Sequence, residues 1–120
     1  MTMTRRAYRG QRLPTERRVY VLGPDGAEQL VPRSPSSLRS YSWGCHGAGS
    51  QELAWALIRD ATGDRQLAED WYLDLSIEIV SRLPSDEFEL RASDVVTWLE
   101  ACTVYPSGWS PAARAAPRAA

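Results

Sequence analysis

The sequence DRQLAEDWYLDLSIEIVSRLP, residues 64–84, decides the fold of this chain. Its apolar residues recur at intervals of three and four, which is the period of an α-helix. We predict a helix over residues 65–82, with Asp64 as its N-cap and Pro84 ending it. Three further residues widen the apolar stripe: Leu73, Ile77 and Val80. We therefore expect this helix to be central and buried on more than one side.

Two shorter helices lie on either side of it in the sequence. The first follows Ser50, a good N-cap, and ends at Gly63, whose lack of a side chain suits a left-handed C-terminal residue. Its apolar stripe is Leu53, Ala54, Leu57, Ile58 and Ala61. The other is predicted over about residues 94–102, capped by Ser93 and burying Val95, Val96, Trp98 and Leu99.

Strand patterns lie mainly in the first third of the chain. The predicted strands are Ala7–Gly10, Arg17–Leu22, Ala27–Val31 and Phe88–Leu90. The middle two form a hairpin, because Pro24 presets φ and Gly26 accepts a positive φ in the turn between them. These elements predict an α+β domain in which a small antiparallel, hairpin-based sheet packs against about three helices.

The chain of 120 residues is expected to hold one domain over residues 1–105. Residues 106–120 are rich in Ala, Pro and Arg and lack a core pattern, so we predict a disordered tail. No apolar run approaches the ~18 residues of a membrane span, and no secretory signal is visible at the start. The sequence thus predicts a cytoplasmic protein without a membrane partner.

Charge is distributed unevenly along the chain. All 14 basic residues are Arg, and the net charge is −1. Residues 1–40 hold eight Arg against Glu16, Asp25 and Glu28, a balance of +5, whereas residues 41–102 hold four Arg against twelve acids, a balance of −8. Such polarity bears on the choice of partner rather than on the fold.

The loop before the first helix, residues 41–50, is rich in glycine and aromatic residues. Free amides at Gly47, Gly49 and Ser50, together with the positive helix end, are able to hold an anion or a nucleotide. No P-loop pattern accompanies them. The favoured interpretation is structural: the glycines permit a bend, and Trp43 and Tyr41 fill the core beneath it.

Cysteine and histidine offer little chemistry in this pattern. Cys45 and His46 are neighbours, but neighbouring side chains usually point in different directions, and a nucleophile needs an oriented base. A zinc site needs about four ligands at suitable spacings, which these residues and Cys102 do not supply. A disulfide between the two cysteines is the less favoured alternative to free thiols. We predict no metal, no cofactor and no enzymatic activity.

Two charged sets are candidate interaction surfaces. Asp70, Asp74 and Glu78 recur every four residues along one helix face, where they form either a contact for a basic partner or a plain solvated face. The Arg-rich N-terminal region carries Arg5, Arg6, Arg9, Arg12, Arg17 and Arg18, with Tyr8 and Tyr20, and the first choice within this set is Arg5, Arg6, Arg17 and Arg18. Arginine binds phosphates and tyrosine stacks on bases, so nucleic-acid binding is the alternative, although the chain as a whole is acidic.

An ordered series of short motifs resembles a known domain. The motifs are Tyr8-Arg-Gly10, Trp43-Gly44, Gly47-Ala-Gly49, Gln51-Glu-Leu-Ala54 with Leu57, Gly63-Asp64, Arg82-Leu-Pro84, Phe88-Glu-Leu90 and Trp98-Leu99. Over about residues 7–101 the chain resembles the domain-of-unknown-function family numbered 6166. The resemblance implies a compact α+β unit frequent on phages and plasmids, with no assigned activity. Cys45-His46 departs from the family pattern, which lowers any chemical role for the pair.

The sequence therefore favours a small non-catalytic binding protein that acts on another protein in a phage, plasmid or defence setting. Nucleic-acid binding and anion binding at the glycine-rich turn are the alternatives. The oligomeric state is not predicted.

Overall fold

The chain has an α+β fold in the computed structural model, which describes residues 6–14, 16–30 and 41–104. The strands are β1 (Ala7–Arg12), β2 (Arg17–Gly23), β3 (Gly26–Gln29) and β4 (Phe88–Arg91). The helices are α1 (Ala48–Thr62), α2 (Arg65–Glu78) and α3 (Ala92–Val104), with a short 3-10 helix at Val80–Arg82. The predicted fold class is confirmed. The predicted tail, residues 106–120, lies outside the described residues.

The four strands form one antiparallel sheet in the order β3-β2-β1-β4. Gly23 pairs with Gly26 across the predicted turn, where Gly26 has a φ of 120°. The predicted hairpin and the addition of β4 are both confirmed. β1 runs two residues further than predicted, and Val31 lies outside the described residues.

The two faces of the sheet differ in burial. Side chains alternate along a strand, so every second residue shares a face. Tyr8, Val19, Val21 and Phe88 are buried on the side of the helices. On the opposite face Arg9, Arg18 and Glu89 are exposed, and Tyr20 is half-buried. The sheet therefore contributes one face to the core and leaves the other accessible within the described residues.

Helix α1 is the central helix. All six residues from Leu53 to Ile58 are buried, and so are Ser50 and Ala61. The helix begins at Ala48 with Gly47 as its N-cap, so the prediction that Ser50 caps it was wrong. Ser50 lies inside the first turn instead, where its hydroxyl donates to the backbone carbonyl of Cys45 at 2.6 Å. Gly63 ends the helix in the left-handed conformation, as predicted.

Helix α2 packs against α1, and its residues Trp71 and Glu78 also contact Trp98 of α3. Asp64 caps it as predicted, accepting hydrogen bonds from the backbone N–H groups of Gln66 and Leu67. The regular helix ends at Glu78, and the 3-10 helix takes up the rest of the predicted span. Leu73 and Ile77 are 47% and 49% exposed. The prediction of burial on more than one side was therefore wrong at Leu73 and Ile77, whereas Val80, the third residue on which it rested, is buried.

Helix α3 closes the core. It begins at Ala92, so Ser93, the predicted N-cap, lies inside the first turn. In the same turn Asp94 accepts a hydrogen bond from the backbone N–H of Arg91 at 3.3 Å. Trp98 stands edge-on to Trp71 of α2, with ring centroids 6.3 Å apart. Among the described helices, none has the length and apolar composition to cross a membrane.

The glycine-rich loop joins the sheet to the helices. Trp43 is fully buried and meets Phe88 edge-on, with ring centroids 5.0 Å apart. The backbone N–H of Gly44 donates to the carbonyl of Val80 at 3.0 Å. Gly44 has a φ of 73°, and a Cβ there would lie 2.9 Å from the carbonyl oxygen of Leu83. The expected structural role of this loop is confirmed at Trp43 and Gly44.

Candidate functional site: the outer face of α2

Four residues of α2 form the surface that we call the outer face: Asp70, Leu73, Asp74 and Ile77. An α-helix turns 100° per residue, so Leu73 lies roughly 160° around the axis from the buried Leu75. Ile77 lies one turn beyond Leu73 on the same line. The outer face thus points directly away from the core that α2 shares with α1.

The exposure of this aliphatic pair is unusual for the molecule. Leu73 and Ile77 are the two large hydrophobic side chains that remain exposed among the described residues. Single apolar side chains at a surface are common and need no explanation. Two in successive turns form a continuous ridge, and a ridge is the feature that packs into a groove of a second helix.

Carboxylates border the ridge on one side. The Asp70 side chain is exposed and accepts a hydrogen bond from Gln66 Nε2 at 2.9 Å. Asp74 is half-buried, and desolvation raises its pKa above the ordinary range. Ionised Asp74 therefore lacks part of its hydration, and a nearby cation would stabilise it.

Glu78 does not belong to this surface. The predicted acidic stripe placed it with Asp70 and Asp74, but Glu78 is only 7% exposed. Its Oε1 accepts a hydrogen bond from the indole Nε1 of Trp98 at 3.1 Å. The stripe is therefore shorter than the sequence suggested, because the third carboxylate has turned inward to α3.

Contacts at the N-terminal half of α2 fix the orientation of the outer face. Trp55 of α1 donates from its indole Nε1 to Glu69 Oε2 at 2.9 Å. The guanidinium of Arg65 lies 5.7 Å from the Trp55 ring centroid, within the range of a cation–π contact. Because these side chains hold α2 against α1, rotation of the helix that would bury the outer face is opposed.

The predicted nucleic-acid set is not brought together on one surface. Arg5 lies outside the described residues. Arg6 forms a two-point ion pair with Asp60, at 2.8 and 3.0 Å, and Tyr8 donates to the same carboxylate at 2.8 Å. Arg17 lies over the Trp43 ring at 5.4 Å, on the helix side of the sheet. Arg18 points to the opposite side and pairs with Glu16.

Part of the predicted arginine set shares the exposed face of the sheet with an arginine that was not predicted. Arg9 and Arg18, both predicted, lie on this face with the half-buried Tyr20, and Arg91 of β4 was missed. Strand register would have identified Arg91, because it pairs with Ala7, two residues before Arg9. All three arginines have acidic neighbours: Glu16 beside Arg18, Asp94 at 3.7 Å from Arg91, and Glu89 directly opposite Arg9 in the β1–β4 pair.

The predicted anion site has an exposed part and a buried part. Gly47, with a φ of 138°, is exposed, whereas Ser50 is fully buried with its hydroxyl engaged by Cys45. Gly49 lies in the first turn of α1. Only backbone amides of this turn therefore remain to contact an anion, and anion binding here stays an untested prediction.

The remaining chemical candidates do not assemble into a site within the described residues. Cys45 is exposed, and its Sγ lies 3.9 Å from the hydroxyls of Ser42 and Ser50. Cys102 is buried, and the two cysteines form no disulfide with each other. In the described part of the chain, no group of three or more His, Cys, Asp or Glu side chains could hold a metal ion. A cleft of about 150 Å³ beside the β2–β3 turn is lined by Asp25 and Glu28 and by Arg6, which Asp60 engages.

A known protein family matches this chain. DUF6166, a family of unknown function, matches residues 8–101, which is most of the chain. The chain therefore belongs to the DUF6166 family, as its motifs suggested. Searches among curated proteins and among solved structures gave no significant match.

Proposed function

We propose that this chain is a non-catalytic binding protein that contacts another protein through the outer face of α2. The observation that carries the proposal is the exposed ridge of Leu73 and Ile77 beside Asp70 and Asp74. An apolar patch bordered by charged residues is the common composition of a protein-binding surface. The apolar ridge supplies affinity, and the carboxylates supply orientation and selectivity.

The setting of the proposal is a cytoplasmic protein of a phage, plasmid or defence system, where it interferes with or assists a host component. This part rests on the kind of domain rather than on geometry. Gene neighbourhoods across DUF6166 members test it. Recurrent phage, plasmid or defence genes beside them support the setting, and a uniform set of chromosomal housekeeping genes contradicts it.

Site-specific crosslinking tests the binding surface. A photoreactive amino acid replaces Leu73 in one variant and Ile77 in another, and exposed Glu87 in a matched control. The proposal expects one protein that crosslinks at positions 73 and 77 and not at 87. That protein is then purified, and its binding to the unmodified chain must weaken when Leu73→Ser and Ile77→Ser are combined. Equal crosslinking at all three positions, or unchanged binding, would contradict the proposal.

Nucleic-acid binding is the second candidate, on the exposed face of the sheet, which holds part of the predicted arginine set. The observation in its favour is that Arg9, Arg18 and Arg91 share this face with Tyr20. Retention on single-stranded DNA or RNA that falls steeply with salt, and is lost in the triple Arg→Gln variant, would support it. Retention that does not depend on these residues would remove it.

A further inference from the structure

We propose that the partner presents a basic amphipathic helix to the outer face of α2. This inference rests on the proposed function and names the chemistry of the partner. It is carried by the shape of the ridge and by the charge of its surroundings, which are independent observations.

The shape of the outer face fits a helix. Leu73 and Ile77 are four residues apart, so they stand about 6 Å apart along the axis of α2. Such i, i+4 rows form the ridges that fit between the side-chain rows of a facing helix. Two half-exposed side chains offer a narrow line of contact rather than a broad plane. A helix that presents apolar residues at i, i+3, i+4 and i+7 matches that line.

The charge around the ridge selects a basic helix. Asp70 and Asp74 border the ridge on one side, and Glu69 lies on the other. The single basic residue of α2, Arg65, lies against Trp55 at the start of the helix. A facing helix with Arg or Lys beside its apolar row would therefore meet Asp70 and Asp74 on one side, whereas Glu69 on the other side is already engaged by Trp55. Asp74 gains most from such a cation, because it is already partly desolvated.

The same charges disfavour a second copy of this chain as the occupant. A two-fold contact places the same patch on both sides of the interface. Asp70 and Asp74 of one copy would then approach Asp70 and Asp74 of the other in a partly apolar interface. Like charges at close range oppose such pairing, so the surface is suited to a partner of opposite charge.

Residues 105–120 of the same chain are the other candidate occupant, since they contain Trp109, Arg114 and Arg118. Pro106, Pro111 and Pro117 interrupt this segment at short intervals. Proline within a helix removes a hydrogen bond and clashes with the preceding turn. A continuous helix on the ridge is therefore better supplied by another protein than by this segment.

Two synthetic peptides test the inference on the full chain. Both have about 18 residues and the same leucine positions, but one carries Lys and Arg on its flanks and the other carries Glu. Fluorescence anisotropy measures their binding at low salt and at about 0.3 M salt. We expect the basic peptide to bind at least about tenfold more tightly than the acidic peptide, and to lose affinity as salt rises.

Variants assign the binding to the outer face. Asp70→Asn with Asp74→Asn should weaken the basic peptide about fivefold, a loss in keeping with two exposed ion pairs. Leu73→Ser with Ile77→Ser should weaken it about tenfold. The matched control is Glu87→Gln with Glu100→Gln, which removes the same charge from exposed positions elsewhere and should change binding less than twofold.

Three outcomes would overturn the inference: equal binding of the two peptides, equal loss in the control variant, or stronger peptide binding when Trp109→Ala, Arg114→Gln and Arg118→Gln are combined. The last would assign the face to the chain's own C-terminal segment. A protein that crosslinks at positions 73 and 77, but contacts them through a neutral or acidic surface, would refute this inference and leave the proposed function intact.

Discussion

Helices α1 and α2 are neighbours with similar lengths and opposite surroundings. α1 buries the whole run Leu53–Ile58, whereas α2 leaves Leu73 and Ile77 about half-exposed. Both helices contain more apolar residues than a single amphipathic stripe requires. In α1 the excess is covered by α2 and α3; in α2 it forms the outer face. The difference indicates that surplus apolar residues serve stability in one helix and are available for binding in the other.

Replacing a leucine by alanine in each helix tests this contrast and has the largest expected effect. Leu57→Ala should lower the free energy of unfolding by about 2–5 kcal/mol, because Leu57 is fully buried and its loss leaves a cavity. Leu73→Ala should change it by less than about 0.5 kcal/mol, because solvent already reaches that side chain. Urea unfolding of both variants measures the difference. Comparable losses would mean that the outer face is part of the core.

The loop before α1 packs against the segment after α2. Substitutions at two glycines test how much this packing contributes to stability. Gly44 and Gly63 have nearly equal φ angles, 73° and 72°. Gly63→Ala should cost roughly 1–2 kcal/mol for the left-handed backbone, since a Cβ there meets nothing within 4 Å. Gly44→Ala should cost about 1–3 kcal/mol more, because its Cβ would collide with the backbone at Leu83 and Ser85.

Thermal or urea unfolding of the two glycine variants gives the comparison directly. The backbone strain is common to both variants, so the difference between their stability losses measures the close approach of Gly44 to Leu83 and Ser85, just after the 3-10 helix. If the two variants lose the same stability, the loop is not tightly held there, and the connection between α1 and the end of α2 is weaker than the structure indicates.

Glu78 and Asp70 are carboxylates on the inner and outer sides of α2, and their substitutions compare the two sides. Glu78→Ala should lower the free energy of unfolding by roughly 1–3 kcal/mol, because it leaves the buried Trp98 indole N–H without this acceptor. Asp70→Ala should have an effect within about 0.5 kcal/mol. Chemical denaturation of both variants, read by tryptophan fluorescence, tests the ranking. A larger loss for Asp70→Ala than for Glu78→Ala would indicate that Glu78 is exposed rather than buried.

Local chemistry made most of the fold predictable from the sequence. The turn at Pro24 and Gly26, the cap at Asp64 and the end of α1 at Gly63 each follow from the backbone preference of one residue type. Helix starts were less well predicted, because Ser50 and Ser93 satisfy the rule for an N-cap but lie inside their helices. Ser50 illustrates how a cap preference is overridden, because its hydroxyl donates to the carbonyl of Cys45 in the preceding loop instead of capping the helix.

The candidate site was harder to predict, because it depends on which helix lies in the middle. The uninterrupted apolar run Leu53–Ile58 was the available signal, since a helix that is apolar all round is a buried one. With α1 in the centre, Leu73 and Ile77 become surface residues and Glu78 becomes a core residue. Periodicity within α2 alone could not decide this, because it gives the faces of a helix but not their neighbours.

The smallest expected effect concerns Asp74 and has a definite sign. Desolvation raises the pKa of Asp74 in the folded chain, so the folded state holds that proton more tightly than the unfolded state does. Ionised Asp74 therefore lowers stability at neutral pH, and the penalty is relieved as the pH falls through its folded pKa. Asp74→Asn should raise the free energy of unfolding by a few tenths of a kcal/mol at pH 7. This advantage should vanish near pH 3, where both states are largely protonated.

Asp70→Asn is the matched control, because it removes the same Asp70–Asp74 repulsion without removing the desolvated carboxylate. Urea unfolding of both variants at the two pH values should show a larger gain for Asp74→Asn at neutral pH. A loss of stability in Asp74→Asn, or a gain equal to that of Asp70→Asn, would contradict desolvation as the cause. If the gain is observed and the basic peptide also binds this variant less well, then Asp74 is retained at a cost to folding. That combination distinguishes a carboxylate used for binding from one that is merely solvated.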